Sequence, residues 1–409
     1  SFRQFSQLVQ SWRVYTLLGE GAPLTEDAVR KFERMVTAPP TGELTWDWRS
    51  PFGRLRLHQV TRGRWKSARR VLPEVVLPPC VPVRNPLCIR TTDDRGRPSL
   101  HWEALVRDSW AIQNVWARLG IPPERRPWAL RQVTPINVML SGENLRKLPM
   151  NGTFGWVHVR VQRDGKARFF FAPNAWLQFL LGPWARELYR ALQRLPQDCT
   201  FDQEKGARQV QQWLVEGREV YSFDLTSATD RFPLAFIRDT LLALSPTRNM
   251  RMWVETFCVV ARLPASVSYR FASAQWITWT VGQPLGTIPS FAAFALAHHA
   301  LVRGCWDGDP REAPYVLLGD DIVIANEELA ARYEAAMRRV GVEISKSKSL
   351  TGRVGEFAGR VIETGGFEFK LKFLPVTFRT LPALISLIGP RALKAVPSTK
   401  LRNVIALPP

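Results

Sequence analysis

The sequence predicts a mixed α/β (α+β) fold, and three observations support this class. Between about residues 155 and 350, short runs typical of strands alternate with runs of helical periodicity. The chain has 409 residues, enough for the cores of two or three domains, and 45% of them are hydrophobic. Aromatic residues make up 11% of the chain. This composition is typical of a folded globular protein.

The formal net charge of +20 favours a polyanionic partner, and nucleic acid is the leading candidate. Such an excess of like charge repels itself unless a partner neutralises it. The basic residues are 45 Arg and 11 Lys. Because the guanidinium group is planar, Arg suits both phosphate binding and base stacking. An Arg-rich composition that reflects coding bias alone is the alternative.

The apolar runs argue against a membrane-spanning protein, and the cysteines argue against a metal site held by cysteine. The longest apolar stretch, residues 291–302, is interrupted by His298 and His299, so we expect no membrane span. The cysteines are odd in number and lack metal-site spacing, which predicts reduced thiols in an intracellular protein. They are Cys80, Cys88, Cys199, Cys258 and Cys305.

The N-terminal part of the chain contains Pro-rich segments that interrupt regular structure, but no motif that indicates a function. Residues 38–42 (APPTG) and 77–86 (LPPCVPVRNP) are rich in Pro and predict loops. Residues 101–120 have helical spacing, and the helix is predicted to end where Gly120 precedes two prolines.

Residues 159–174 (VRVQRDGKARFFFAPN) predict a hairpin around an Asp-Gly turn. Basic and apolar residues alternate along it, which would turn one charged face toward a cavity. Arg163, Lys166 and Arg168 could then bind a triphosphate and stabilise the charge of a phosphoryl-transfer transition state. A generic surface hairpin would have the same pattern.

Residues 219–233 (EVYSFDLTSATDRFP) predict a strand, a short connection and a helix. The strand, Val220 to Leu225, presents Asp224 near its end, and Asp230 follows before a helix that begins around Pro233. Asp224 could also be an ordinary strand-end or helix-cap residue.

Residues 282–299 (GQPLGTIPSFAAFALAHH) predict a loop followed by a helix that starts near Pro289. Two glycines let the backbone of this loop approach a ligand closely. The segment is therefore a candidate nucleotide-facing element, although a plain connection would look similar.

Residues 315–326 (YVLLGDDIVIAN) predict two buried strands joined by a tight Gly-Asp-Asp turn. Adjacent carboxylates repel each other and resist burial, so Asp320 and Asp321 indicate either a nearby cation or, because Gly and Asp are common turn residues, a plain surface turn. With Asp224 they could hold two divalent metals about 4 Å apart, as in an in-line phosphoryl displacement. Mg²⁺ suits this role because it takes few protein carboxylates.

Residues 326–341 predict an amphipathic helix that Asn326 caps and Gly341 ends. The next segment, residues 342–350 (VEISKSKSL), predicts a strand and a basic turn. Lys346 or Lys348 could protonate a leaving phosphate group. A solvated basic turn is the alternative.

Taken in order, these segments resemble the RNA-dependent RNA polymerases of narnaviruses and mitoviruses, with ourmiavirus-like enzymes close by. The resemblance covers about residues 155–365, and the combination is far more specific than any one segment. It implies a right-hand polymerase with fingers, a ferredoxin-like palm and a short or partial thumb. The segments are RDGKARFFFAPN, LPQDCTFDQEKG, FDLTSATDRFP, GQPLGTIPSFAAFALAHH, LLGDDIVI, ISKSKSL and GEFAGRVI.

The resemblance also implies roles for individual residues. Asp224 and Asp320 would bind two Mg²⁺ ions, with Mn²⁺ as a substitute, and Asp321 would assist. Asp230 would sense the ribose 2′-hydroxyl, while Lys166 and Arg168 would hold the triphosphate. The remaining positions are Gly286 and Ser290 beside template and nucleotide, and Glu356, Phe357 and Arg360 in a hairpin that grips the primer end.

One position departs from the family pattern. Many viral RNA polymerases have an Asn on the loop-helix element, and Phe294 stands about where spacing would place it. His298 lies one turn further on, and it is either a substitute ribose partner or a core histidine.

The same resemblance predicts domain boundaries, partners and location. We expect fingers and an N-terminal region in 1–215, palm in 216–245, a fingers insertion in 246–281, palm again in 282–354, and the primer hairpin with a partial thumb in 355–409. Another chain or a missing segment would complete the thumb. The partners would be the template and nascent RNA of a positive-strand genome and nucleoside triphosphates. The Arg excess favours the host cytoplasm over the mitochondrion, because A/U-rich mitoviral genomes favour Lys codons.

Two other functions fit the same residues. A reverse transcriptase shares the palm, but it normally has an aromatic residue two positions before the paired acids, where this chain has Leu318. A non-catalytic RNA-binding relic of a polymerase would be expected to have lost acids, and all three are present.

Overall fold

A computed structural model describes residues 1–4, most of 23–77, the pairs 91–92, 98–99 and 117–118, and 154–369 apart from 163–165, 174 and 347. Within these residues the chain mixes helices with short sheets, so the predicted α+β class is confirmed. The described residues do not include Cys80, Cys88, Arg163, the predicted helix over 101–120 apart from residues 117–118, or the predicted partial thumb beyond residue 369.

The described helices are α1 Glu26–Thr37, α2 Leu57–Thr61, α3 Ala68–Val71, α4 Ala175–Leu192, α5 Gln203–Val215, α6 Ala228–Arg231, α7 Leu234–Ala243, α8 Arg248–Ala261, α9 Ser290–Cys305 and α10 Glu327–Val340. The described strands are β1 Thr91–Thr92, β2 Pro98–Ser99, β3 Gly155–Val161, β4 Ala167–Pro173, β5 Val220–Phe223, β6 Ala265–Val267, β7 Trp276–Ile277, β8 Tyr315–Leu318, β9 Asp321–Ile324, β10 Leu350–Gly352, β11 Gly355–Phe357, β12 Arg360–Glu363 and β13 Gly366–Phe369.

A central antiparallel sheet has the strand order β10-β5-β9-β8. Alternate side chains of its strands enter two different cores, as expected from the period of two along a strand. Phe223 and Ile322 pack in the larger core with α7, α9 and α10. Val220 and Val323 pack on the other face, in a core that includes α5 and the β11-β12 hairpin. Both faces of the sheet are therefore covered.

Helix α9 runs through the larger core, and all its residues from Ala292 to Cys305 are buried. Its polar side chains are paired, because a buried polar group without a partner is costly. His299 contacts the Asp198 carboxylate at 3.1 Å, and Arg303 donates to Glu74 at 2.9 Å. This helix begins directly after Pro289, as predicted.

The second sheet has the order β4-β3-β6-β7, in which β3 and β6 are parallel and the other pairs antiparallel. One face packs against α1 in a core that contains Val36, Val157, Phe171, Ile277 and Trp279. The predicted hairpin over 159–174 is confirmed by β3 and β4, which pair along their whole length.

Most local predictions are confirmed, with small changes at strand ends. Asn326 caps α10 by accepting from the backbone N–H of Leu329, and Gly341 ends it with φ +76°. Between residues 342 and 349 only Ile344 forms a strand-type bridge, to Leu225. In the part of the chain that the structure describes, no helix combines the length and hydropathy needed to cross a bilayer.

Candidate active site

The Gly-Asp-Asp segment forms the tight turn between β8 and β9. Gly319 has φ +63°, in the left-handed region that favours glycine, and Asp321 is already the first residue of β9. Asp320 is therefore the exposed residue at the tip of the turn. Strand β5 lies beside β9 with Phe223 opposite Ile322, so the next residue, Asp224, lies beside the turn. The fold thus brings together acids that are nearly a hundred residues apart.

The carboxylates in this turn interact electrostatically. The surrounding protein disfavours the charged form of Asp320 and raises its pKa, and the negative charge of Asp224 raises it further. Burial raises the pKa of Asp321 to about 7, with smaller contributions from its acidic neighbours. Asp320 and Asp321 are therefore easier to protonate than an ordinary carboxyl, and a bound cation would stabilise their ionised forms.

Asp321 has a different environment from the other two acids. Its carboxylate accepts a hydrogen bond of 2.6 Å from the backbone N–H of Ala358, at the turn between β11 and β12. Ala358 has φ +51°, and Gly359 has φ +70°, which defines a tight two-residue turn. Asp321 thus connects the candidate catalytic turn to the predicted primer hairpin.

The donor set fits a divalent ion such as Mg²⁺. Asp224 and Asp320 both supply hard oxygen ligands, and the Asp224 side chain is 47% exposed, which leaves space for water and phosphate oxygens. Among residues 154–369 and the other described parts, no group of three or more His, Cys, Asp or Glu side chains is arranged to hold a metal. Two carboxylates with open positions suit an ion shared with a phosphorylated substrate.

The basic turn after α10 lies against Asp224. The Ser345 N–H donates to the Asp224 carbonyl, and the Ser349 hydroxyl contacts the Asp224 N–H. These contacts bring the Lys348 ammonium to 3.5 Å from the Asp224 carboxylate. Lys346 is exposed in the same turn. Of the two candidate proton donors, Lys348 is the one that contacts an acid of the candidate site.

Asp230 is held by a tryptophan from a distant part of the sequence. The Trp279 indole N–H donates to the Asp230 carboxylate at 2.8 Å. Burial raises the pKa of Asp230 to about 6, although this hydrogen bond and Arg231 act in the opposite direction. The Gly282 N–H donates to the Asp230 carbonyl. The loop before α9 is thereby fixed beside this acid.

Residues of that loop have distinct positions. Gly286 is exposed and has φ +133°, and a side chain there would meet the Phe171 carbonyl oxygen at 1.8 Å. Ser290 is buried and donates to the Pro284 carbonyl at 3.1 Å. Gly286 can therefore face a ligand, whereas Ser290 supports the loop from inside. The Oε1 atom of Gln283 is buried without a hydrogen-bond partner in the structure.

His298 does not face the candidate nucleotide site. It is fully buried, with Nδ1 2.8 Å from the Gly319 carbonyl and Nε2 2.8 Å from the Tyr333 hydroxyl. Since a carbonyl only accepts, Nδ1 carries the proton and Nε2 accepts from Tyr333. Burial lowers the pKa of His298 to about 3, so the ring is neutral. The core alternative is correct, and His298 supports the Gly-Asp-Asp turn from below.

The basic hairpin lies close to the acidic turn. Arg168 and Lys166 lower the pKa of Asp320, against the larger effect of burial, so their charges reach this carboxylate. Both side chains are exposed.

The primer hairpin is confirmed as a hairpin, but two of its three candidate contact residues point inward. Phe357 is fully buried in the core beneath β9, and Arg360 is 6% exposed, with its guanidinium donating to the Gln203 carbonyl at 3.0 Å. Phe357 packs on the central sheet and Arg360 packs against α5 and Phe367, so neither side chain is free to face RNA. Glu356 is half-buried.

The model of the mitovirus RNA-dependent RNA polymerase family matches residues 130–375, which is more than half of the chain.

The chain belongs to this family.

Curated relatives agree with the mitovirus polymerase family. The RNA-directed RNA polymerase of Cryphonectria parasitica mitovirus 1 is 32% identical over 52% of this chain and 26% of its own length. Two uncharacterized mitochondrial proteins of Arabidopsis thaliana are 40% and 37% identical, over 76% and 68% of their lengths and 38% and 41% of this chain. The chain thus matches about a quarter of the length of the viral relative.

One solved structure is related more distantly. It is an insertion-loop deletion mutant of the RNA-dependent RNA polymerase of a human picobirnavirus. The TM-score is 0.41 at 13% identity, with 60% of this chain and 54% of that chain covered. This likeness is too low to support further conclusions.

Some residues of this mitovirus-family site were missed by sequence reasoning. Trp279 is one of 16 tryptophans and lies 49 residues from Asp230, so no local signal marks it as a partner. Tyr333 belongs to the predicted apolar stripe of α10, and this pattern does not predict that its hydroxyl donates a hydrogen bond to His298.

Proposed function

We propose that this chain carries the catalytic centre of an RNA-directed RNA polymerase that copies a positive-strand RNA genome. The growing 3′-hydroxyl would attack the α-phosphorus of a nucleoside triphosphate, and pyrophosphate would leave. The observation that supports this most strongly is the strand register, which brings Asp224 beside the Asp320 turn. Membership of the mitovirus polymerase family supports the same reaction.

Asp224 and Asp320 are the residues that would hold two Mg²⁺ ions, with Asp321 in support. Bound there, the ions would stabilise the charge that develops on the attacking and leaving oxygens. Asp321 would act mainly by positioning, because its carboxylate is engaged by the Ala358 N–H.

The remaining residues would bind the nucleotide and move a proton. Lys166 and Arg168 would hold the triphosphate beside Asp320, whose pKa their charges already lower. Lys348, at 3.5 Å from Asp224, would donate its ammonium proton to the leaving pyrophosphate. Asp230 would accept a hydrogen bond from the ribose 2′-hydroxyl. Its position is fixed by Trp279.

Single carboxylate-to-amide changes test the catalytic assignment. Asp320→Asn and Asp224→Asn should abolish extension of a primed RNA template while leaving RNA affinity within about twofold, because the amide keeps the shape but loses the charge. Glu334→Gln, at an exposed position on α10, is the matched control. Extension by Asp320→Asn at the parent rate would show that the site is wrongly assigned.

A reverse transcriptase remains the second candidate because it would use the same acids. The Asp230 environment favours ribonucleotides, since a carboxylate beside the sugar can accept from a 2′-hydroxyl. Steady-state incorporation of rNTPs and dNTPs on one RNA template separates the two. A preference for dNTPs would contradict the proposed function.

For location, we propose the mitochondrion in preference to the cytoplasm. The family is that of mitoviruses, and the two plant relatives are named as mitochondrial proteins. The cytoplasmic prediction came only from the Arg excess. Cell fractionation of a host that expresses the tagged chain tests this, and a cytosolic signal without mitochondrial enrichment would contradict it.

A further inference from the structure

The second sheet has an exposed face that combines aromatic and basic side chains. On β3 the exposed residues alternate with buried ones, and on β4 the same alternation holds as far as Phe171. Trp156 is 43% exposed, Phe170 40% and Trp276 52%. A contiguous exposed patch of large apolar side chains is typical of a binding surface. We call the exposed side chains of this sheet the aromatic face: Trp156, His158, Arg160, Arg168, Phe170 and Trp276.

Strand register arranges the aromatic face in three rows. Arg160 lies opposite Arg168 in the first row, and His158 lies opposite Phe170 in the second. The His158 and Phe170 rings stack, with centroids 5.7 Å apart. In a strand, residues two apart are about 6.7 Å apart, so the rows lie at steps that an extended single strand can follow with its bases.

The third row places two tryptophans on either side of a small residue. Trp156 pairs with Ser266 across the parallel strands, and Ser266 pairs with Trp276 across the next pair. Ser266 itself is buried between these neighbours. The two indole rings therefore stand on the same face of the sheet, where each offers a surface on which a base can stack.

The first row favours an anionic ligand. Like charges directly opposite each other across two strands destabilise a sheet, and a bound polyanion would remove this cost. Arg168 is also the residue whose charge reaches Asp320, so this end of the aromatic face borders the candidate active site. The tryptophan row lies at the far end.

We infer that the aromatic face binds single-stranded RNA, with a phosphate at Arg160 and bases stacked on the aromatic rows. Aromatic rings interleaved with basic residues are the general means of binding single strands without reading their sequence. Only unpaired bases can stack in this way, and the strand that a template-directed polymerase must hold unpaired is the template that it has not yet copied. The strand is therefore the uncopied template ahead of the active site. Only this last step rests on the proposed function.

The direct test measures binding without catalysis. A labelled single-stranded oligoadenosine is titrated with the full chain, without divalent ions or nucleotides, and fluorescence anisotropy is followed. Trp156→Ala and Phe170→Ala should each weaken binding roughly tenfold, because one base loses its stacking partner. Phe201→Ala removes an exposed aromatic outside this sheet and should bind as the parent does. Trp156→Leu and Phe170→Leu keep apolar bulk without the ring, and they replace the alanine variants if thermal melting shows unfolding.

Salt dependence separates stacking from ionic contacts. Arg160→Gln should reduce the slope of log affinity against log salt by about 0.7, the value for one phosphate contact in a single strand. The aromatic variants should keep the parent slope. Arg208→Gln, at an exposed position on α5, should change neither affinity nor slope.

Template overhangs then test the assignment to the uncopied strand. With a long unpaired overhang, Trp156→Ala should raise the template concentration needed for half-maximal extension roughly tenfold. With a one-nucleotide overhang it should behave as the parent does, because the strand then ends before the tryptophan row. Equal loss on both overhangs would overturn the assignment to the template.

The RNA-binding measurements test the inference even if the parent chain extends no primer. A failure of the proposed function can therefore be distinguished from a failure of the inference. Parent-like RNA binding by both aromatic variants would overturn the inference, and it would indicate that the face docks a protein segment instead. If the aromatic variants lost as much affinity for duplex RNA as for single-stranded RNA, this result would also overturn the inference.

Discussion

The hydrogen bond from His298 to the Gly319 carbonyl should fix the geometry of the acidic turn. The substitution that tests this is His298→Leu, which replaces the imidazole in α9 with an apolar side chain of similar volume. It removes both hydrogen bonds of the ring at once, and each of them is 2.8 Å long. The Gly319 carbonyl and the Tyr333 hydroxyl then lose their partner in the core.

The expected loss of stability follows from these two groups. A buried donor or acceptor without a partner costs about 1–3 kcal/mol, so His298→Leu should lower the free energy of unfolding by about 2–6 kcal/mol. Tyr333→Phe removes a single hydroxyl and leaves only the His298 Nε2 unpaired. It should therefore cost about 1–3 kcal/mol. In the His298→Leu background the same change should be neutral or stabilising, because that hydroxyl has already lost its acceptor.

The pH dependence of stability provides a second measurement. Burial holds the pKa of His298 near 3, whereas an unfolded histidine has a pKa near 6.5. The unfolded state therefore binds more protons between these values, and the native protein loses stability as pH falls below about 6.5. His298→Leu should lose less stability on acidification than the parent. His58→Gln, a partly exposed histidine on α2, is the control.

Urea unfolding at neutral and mildly acidic pH measures both effects, and primer extension measures the effect on function. A shift of the turn by about 1 Å can cost on the order of a hundredfold in rate. We expect kcat to fall in His298→Leu with the KM for nucleotide little changed. Tyr333→Phe with parent stability, or a double variant whose losses simply add, would refute the proposed network.

Three further predictions concern the acid beside Trp279, the basic turn and the loop before α9. The pKa of Asp230 is raised from 3.8 to about 6, so the folded state binds more protons than the unfolded state between these values and stability declines as pH rises through them. Asp230→Asn should therefore raise the free energy of unfolding at neutral pH by up to about 3 kcal/mol, seen in urea titrations, and should reduce the preference for rNTPs over dNTPs. Lys348→Met should lower kcat by about a hundredfold in single-turnover extension while Lys346→Met stays near the parent, and the reverse order would contradict the assignment of the proton donor. Gly286→Ala should lower both stability and nucleotide affinity, because its Cβ would meet the Phe171 carbonyl at 1.8 Å, and unchanged melting and KM would show that the loop is not packed as described.

Local sequence patterns predicted the elements that carry the site. Helix α10 follows from Asn326 and Gly341, and the hairpin of β8 and β9 follows from two apolar runs around Gly319. These features depend on residues a few positions apart, where periodicity and turn chemistry act directly. The order of the segments was enough to indicate the polymerase family that the comparisons then identified.

Side-chain direction was much less predictable. Phe357 and Arg360 belong to the expected hairpin, yet Phe357 is buried on the central sheet and Arg360 is buried against α5. His298 lies on the expected helix, but the face of α9 that carries it meets the underside of the acidic turn. Each of these outcomes depends on contacts between elements that are distant in sequence.

The α+β class, the main helices and hairpins, the candidate catalytic acids and the basic charge that favours a nucleic-acid partner all follow from the residue pattern. Which acids come together depends on how the strands pair, because β5 and β9 lie side by side with Asp224 next to the turn that carries Asp320. The tertiary structure also decided that Trp279 holds Asp230 and that Trp156 and Trp276 share one face. Periodicity records which residues are apolar within one element, whereas the partner of each face depends on how all the elements pack together.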